Sequence, residues 1–321
     1  MMKKIFLSLL LVIGTTLATT AELEDILQLD GAISDISISG EKAYVATERG
    51  KVQIIDLKTH KIINEISYPK FEDFMGELQL PKVFSVDVSP DQKLIAAAVQ
   101  ATRGGREVYI YHDGKLTKII DRKKHFPIAK LRFVDNQHLI FGLTGDEIIL
   151  FDLKNNKVIY RNPVGMSFFS DMEINESKTK IALTDESGDT RIIDIKSGKV
   201  VKVIEELNKD KAFDVDFKNN RTFTGGRDKK AVYYNLNTNQ YQIFDADDFM
   251  VFSVGLSPSG KRGAYVYNDK FNVKVVNTEE GTTITYLKGH KSTPSNIRFL
   301  SEEKLIIGCD DGKIFFWRLK Q

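Results

Sequence analysis

Ile297-Arg298-Phe299, Leu305-Ile306-Ile307-Gly308, Asp310-Asp311-Gly312 and Ile314 to Trp317 give, in that order, an alternating strand, a second apolar strand, a polar turn and a third strand. The opening pattern, apolar then polar then apolar, occurs six times upstream. It is found at Ile36-Ser37-Ile38, Val86-Asp87-Val88, Leu131-Arg132-Phe133, Met172-Glu173-Ile174, Val215-Asp216-Phe217 and Val254-Gly255-Leu256. The triplets are 39 to 50 residues apart. Each is followed by a second apolar strand and by a third that ends in a recurring motif, as in Ile55-Asp56-Leu57, Phe151-Asp152-Leu153 and Ile193-Asp194-Ile195. After that motif come a polar turn, such as Lys196-Ser197-Gly198-Lys199, and a fourth strand, such as residues 200–204. Four short strands per repeat of this length describe the blade of an all-β, seven-bladed propeller of four-stranded antiparallel sheets. No window sustains a period of 3.6, so helices should be almost absent.

The last repeat runs into the C-terminus one strand short. Residues 23–29, with Leu23, Leu27 and Leu29 on one face, lie before the first repeat and supply the missing strand. We expect this segment to pair beside residues 313–319 and close the ring, which would remove two unpaired edges.

Ahead of that strand, Lys3 and Lys4 precede an apolar run from Ile5 to Ile13, and small residues follow to Ala21. This is the pattern of a cleavable secretory signal peptide over residues 1–21, with cleavage expected after Ala21 and Ala18 as the second choice. A single propeller domain over residues 22–321 then remains, exported to the periplasm as a monomer with no integral membrane segment. The run is too short to span a bilayer, and no cysteine stands near either cleavage position to carry a lipid. Roughly 300 residues can bury a large core without disulfides, which the single cysteine, Cys309, could not form internally. The 46 basic residues exceed the 44 acidic ones by Lys3 and Lys4 alone. A balanced mature domain has no long-range attraction for nucleic acid or anionic membranes.

The last repeat resembles a WD repeat: Gly289-His290 leads into the triplet, and Asp311 and Trp317 follow at the family's positions. In that family the corresponding histidine, aspartate and tryptophan belong to a hydrogen-bonded set that stiffens a blade, so the resemblance gives His290, Asp311 and Trp317 a structural role. Arg318 stands where the family has a second aspartate, and Ile307 or Cys309 where it has a hydroxyl. The first repeat, Ala43-Tyr44-Val45-Ala46-Thr47 through Leu57, resembles the degenerate, YVTN-like propellers of secreted bacterial proteins. In length and export the chain is also similar to the NapL-type accessory proteins of periplasmic nitrate reductase. That likeness implies a periplasmic respiratory enzyme as protein partner and carries no catalytic residues.

In a propeller, the turns between second and third strands and the connections between blades share one face. Two of them exceed minimal length in neighbouring repeats. The connection over residues 67–82 carries Phe71, Phe74, Met75, Leu78 and Leu80, and the inner turn of the second repeat carries Arg103, Gly104, Gly105 and Arg106. Aromatics and methionine beside arginine have the composition of an interface, so Phe71, Phe74, Met75, Arg103 and Arg106 are the candidate partner-binding patch. The other reading folds the connection onto its own blade and leaves the arginines solvated, and the Gly104-Gly105 turn could instead hold an anion. Phe84, Phe213 and Phe252 share one position, with Phe169 displaced by one, and suit packing between blades.

Catalytic chemistry has no motif. His60, His112, His125, His138 and His290 fall in different repeats and positions, and there is no haem attachment, nucleophile elbow or phosphate-binding glycine loop. Cys309, inside a strand, reads as a buried inert thiol. The expectation is therefore a non-catalytic binding scaffold without cofactor or metal. The rival is a propeller enzyme or small-ligand binder of the lactonase or quinoprotein kind, with its ligands gathered at the channel.

Overall fold

The computed structural model describes residues 20–320. Seven four-stranded antiparallel sheets follow one another along the chain. We number the blades 1 to 7, over residues 33–67, 83–120, 128–163, 169–204, 212–245, 254–287 and 294–320. The seventh is completed by the strand Thr20–Gln28, which pairs antiparallel with Lys313–Lys320, Ala21 opposite Leu319 and Gln28 opposite Lys313. Among the described residues the only helical pieces are 3-10 turns at Thr102–Gly104 and Arg122–Lys124.

The closing strand differs from its expected form in two ways. It begins at Thr20, inside the expected signal peptide, of which residues 1–19 lie outside the described residues. The pairing also slips between Leu23 and Asp25, and this bulge turns Leu23 outward, 38% exposed, while Leu27 and Leu29 pack inward. Arg318, in the position where a WD repeat has aspartate, pairs with Glu24 at the bulge.

Apolar residues of the alternating strands form seven clusters among the described residues, and each cluster straddles one junction between neighbouring blades. At the junction of blades 2 and 3, for instance, Phe133, Phe141 and Phe151 pack against Ala96, Ala98 and Val108. The small side chains of blade 2 leave the space that the three rings fill. Burial of each such side chain contributes roughly 1.5 to 3 kcal/mol, so the core is a ring of joints with no central mass.

In six blades the innermost strand slips its register by one residue near its start, just before Asp35, Ser85, Lys130, Asp171, Asp214 and Asn296. A bulge re-aims the residues beyond it. From that point each inner strand sends its polar alternate residues toward the central channel.

Candidate functional site

Polar residues at the middle of the sequence triplets, and two positions before them, join all seven blades around the channel. Asp35 of blade 1 accepts hydrogen bonds from Val86 N at 3.1 Å and Ser85 Oγ at 2.6 Å in blade 2. Asp87 accepts from Phe133 N of blade 3 at 2.6 Å. Blade 3 reaches blade 4 through a double hydrogen bond from Arg132 to Glu173, at 3.2 and 3.1 Å, and through the Lys130–Asp171 ion pair. Asp171 accepts from Val215 N of blade 5 at 3.2 Å, while Asp214 and Asp216 accept from Val254 N and Leu256 N of blade 6, each at 2.8 Å. Ser253 donates to Pro294 O of blade 7 at 2.7 Å, and Arg298 closes the circle by donating to Ile36 O at 3.3 Å.

Arg132 is the hub of this wall. Its guanidinium also reaches over blade 2 to Asp35, at 2.9 and 3.2 Å, so one side chain holds two buried carboxylates. Burial alone would raise the pKa of Asp35, but Arg132, Lys130 and Arg298 outweigh it and hold the carboxyl below its ordinary range. Glu173 is likewise held far down, against its burial, by Arg132, Lys130 and Arg298. Asp87 and Asp214 go the other way: burial is the largest cause for both, and for Asp214 the neighbouring Asp171 charge adds to it.

Toward the face of the turns between first and second strands the channel widens into a cavity of about 280 Å³. Its walls include Arg132, Glu173, Lys178, Asp216, Lys218 and Arg298. Sequence reasoning missed this site, although the repeated polar residue between two apolar ones was its signal. Among the described residues no group of three or more His, Cys, Asp or Glu side chains is arranged to hold a metal ion.

The candidate patch lies on the opposite face, where the connection from blade 1 to blade 2 forms its own hairpin from Phe71–Glu72 and Leu78–Gln79. Asp73 orders its turn. The carboxylate accepts from Met75 N at 2.8 Å and Glu77 N at 3.0 Å, and Gly76 supplies the φ of +82° that the reversal needs. The tip therefore presents Phe74, 92% exposed, and Met75, 71% exposed.

The other three patch residues are placed differently. Phe71 is half-buried and lines a groove of about 380 Å³ with Leu78 and Thr102. Arg103 is exposed in the 3-10 turn at φ +60°. Arg106 begins a strand and lays its guanidinium on the Phe84 ring, 3.5 Å from the centroid. That stacking is a favourable cation–π contact and leaves Arg106 half-buried. Phe213 and Phe252 meet across the junction of blades 5 and 6, 5.1 Å between centroids, and Phe169 packs over Gly142 of blade 3.

His290 packs against Phe315 and Trp317, at 4.5 and 6.0 Å between ring centroids. Its Nδ1 lies 2.9 Å from Phe271 O, and Asp311 instead accepts from Lys313. Neither His290 Nε2 nor Trp317 Nε1 has a hydrogen-bond partner among the described residues, so His290, Asp311 and Trp317 pack and turn the blade without forming a closed hydrogen-bonded set. Burial lowers the His290 pKa to about 4 and pushes the Cys309 thiol up.

Residues 281–318 match the family described as WD domain, G-beta repeat. No curated protein matches the chain. Among solved structures the chain is similar to the β-propeller domain of Cps50 (Swd1) from Myceliophteria thermophila. The two share 15% identity, with 93% of this chain and 99% of that one covered and a TM-score of 0.72. The chain is thus a seven-bladed β-propeller, and the match to a WD repeat spans the outer strand of blade 6 and the three strands of blade 7 that follow it.

Proposed function

We propose that this propeller is an exported interaction scaffold that docks a protein partner on the face bearing the 71–79 hairpin. The observation that carries the reading is the hairpin tip, where an ordered turn holds Phe74 and Met75 out in solvent. Large apolar side chains on a fixed backbone lose little entropy on binding and have the composition of interface anchors. The channel gives less support to a lactonase-like or quinoprotein-like activity, because Arg132, Asp35 and Glu173 are engaged with one another.

The partner class follows from the likeness to NapL-type proteins and from the expected export: a periplasmic respiratory enzyme, with nitrate reductase the first to test. Because Thr20 and Ala21 belong to the closing strand, cleavage after Ala18 keeps that strand whole, and cleavage after Ala21 shortens it. The N-terminal sequence of the secreted protein distinguishes the two.

The test is affinity capture from a periplasmic extract, followed by titration of the captured partner against the wild type and Phe74→Ala. A central anchor lost from the interface costs roughly 2 kcal/mol, about thirty-fold in affinity. Equal affinity of the two proteins would place the docking surface elsewhere on the disc.

A further inference from the structure

The cavity at the far mouth of the channel has donors to spare. Four cations, Arg132, Lys178, Lys218 and Arg298, and four carboxylates, Asp87, Glu173, Glu176 and Asp216, face it, so charge alone does not choose a ligand. The hydrogen bonds do. Asp87 accepts from Ser37 Oγ at 2.6 Å and Phe133 N at 2.6 Å, and Asp216 accepts from Phe217 N and Leu256 N, both at 2.8 Å. Both oxygens of Glu173 are held by Arg132, and both of Glu176 accept from Asn219 N. Every carboxylate oxygen of the wall is therefore already engaged.

The cations other than Arg132 keep free donors. Arg298 uses Nε on Ile36 O and Nη1 on Ile297 O, while its Nη2 stands 3.9 Å from Glu173 Oε2, beyond hydrogen-bonding distance. Lys218 Nζ makes no hydrogen bond among the described residues and lies 3.6 Å from Asp216 Oδ1. Lys178 spends one of three donors, on Phe133 O at 2.6 Å. An ammonium or guanidinium group that faces a cavity with unmet donors favours an acceptor-rich, negatively charged occupant.

We infer that the cavity is a binding site for a small oxyanion, a carboxylate or a phosphate, held by Lys178, Lys218 and the free edge of Arg298. A volume of about 280 Å³ equals roughly nine waters at their liquid volume of about 30 Å³. That leaves room for an anion with a short organic body. The site faces away from the 71–79 hairpin, so a ligand there and a protein partner can be bound together.

Calorimetric titration of the purified protein with sodium phosphate and with sodium succinate, at fixed ionic strength and with chloride as the reference anion, tests this. Saturable one-to-one binding of either probe is expected. It should weaken about tenfold or more in Lys218→Met and in Lys178→Met and stay unchanged in Lys58→Met, an exposed lysine before the outer strand of blade 1. Phosphate binding alone assigns a phosphate or phosphoester, and succinate binding alone a carboxylate. A thermal melt confirms that each variant folds, and the two cavity variants serve as substitutes for each other. No saturable binding of either probe, or the same affinity in all three variants, would mean that the cavity holds water only and would overturn the site.

Discussion

The channel wall buries charge in the middle of apolar strands, and the 71–79 hairpin exposes apolar side chains in the middle of a polar surface. Both depart from the usual distribution of residues, and such departures carry more information than the rest of the sequence. They differ in that the channel carboxylates have their needs met inside the molecule and the hairpin tip does not. Each channel carboxylate finds a backbone N–H or a guanidinium in a neighbouring blade, whereas Phe74 and Met75 contact solvent. Buried charge that is fully partnered is part of the joinery; apolar surface that is ordered and unpartnered is available to a second molecule.

The largest expected effect tests the first half of that contrast. Replacing Arg132 with Met keeps most of the volume and leaves Asp35 and Glu173 buried without their shared cation. Breaking a buried pair in this way costs about 3 to 5 kcal/mol, against a total domain stability of about 5 to 15 kcal/mol. Urea unfolding of Arg132→Met should show a loss in that range. A loss below about 1 kcal/mol would mean that the seven apolar clusters hold the ring alone and that the polar stitches are incidental.

Asp146 sharpens the comparison, because among the described residues no N–H or hydroxyl donates a hydrogen bond to its buried carboxylate. It lies in the turn after the second strand of blade 3. The backbone of Gly165 closes over it, while Asp185, Asp189 and Arg191 of blade 4 gather beside it. Burial first, and the Asp185 charge second, raise its pKa to about 7, against the pull of Arg191. The unfolded value is about 3.9, so between those values the folded protein keeps a proton that the unfolded chain releases. The stability this contributes is full below the unfolded pKa and is lost as pH rises through 7.

His290, lowered to about 4, has the opposite slope: its contribution is present above its ordinary value and lost as pH falls toward 4. The two partly cancel below pH 6.5, the ordinary histidine value, so only a difference between proteins isolates the aspartate. Asp146→Asn should be more stable than wild type at pH 8 by roughly 1 to 3 kcal/mol and equal to it near pH 4. Melting curves at the two pH values check the crossover. A difference that does not depend on pH would show that Asp146 keeps its charge in the folded state.

The architecture was legible because a two-residue alternation repeated seven times leaves few folds open, and the missing strand of the last blade could be found among residues 23–29. The same alternation concealed the channel. Period two tells which residues share a face, but it does not say whether that face meets bulk water or six other strands. Nothing in the alternation therefore marks Asp87, Arg132 and Glu173 as channel positions. Bulges are equally silent, and the one at Glu24 turned Leu23 out of the core. Of the candidate patch, the exposure of Phe74 and Met75 could be read from loop length. The withdrawal of Arg106 onto Phe84 could not, because it depends on where two strands of blade 2 place residues that are not cross-strand partners.

The smallest expected effect tests the second half of the contrast and lies within the hairpin itself. Phe74 stands at the tip with 92% of its surface in solvent, so Phe74→Ala removes almost no buried area. The Asp73 hydrogen bonds that shape the turn run to backbone groups and survive the change. Its stability should therefore stay within about 0.5 kcal/mol of wild type, even as partner affinity falls. Phe71, half-buried in the groove beside Leu78 and Thr102, is the internal control: Phe71→Ala should lower the melting point measurably, by an amount equivalent to roughly 1 kcal/mol. If Phe74→Ala melts as early as Phe71→Ala, the tip folds back onto its own blade in solution. Its exposed apolar surface then has a partner within the chain, and the distinction between the two regions disappears.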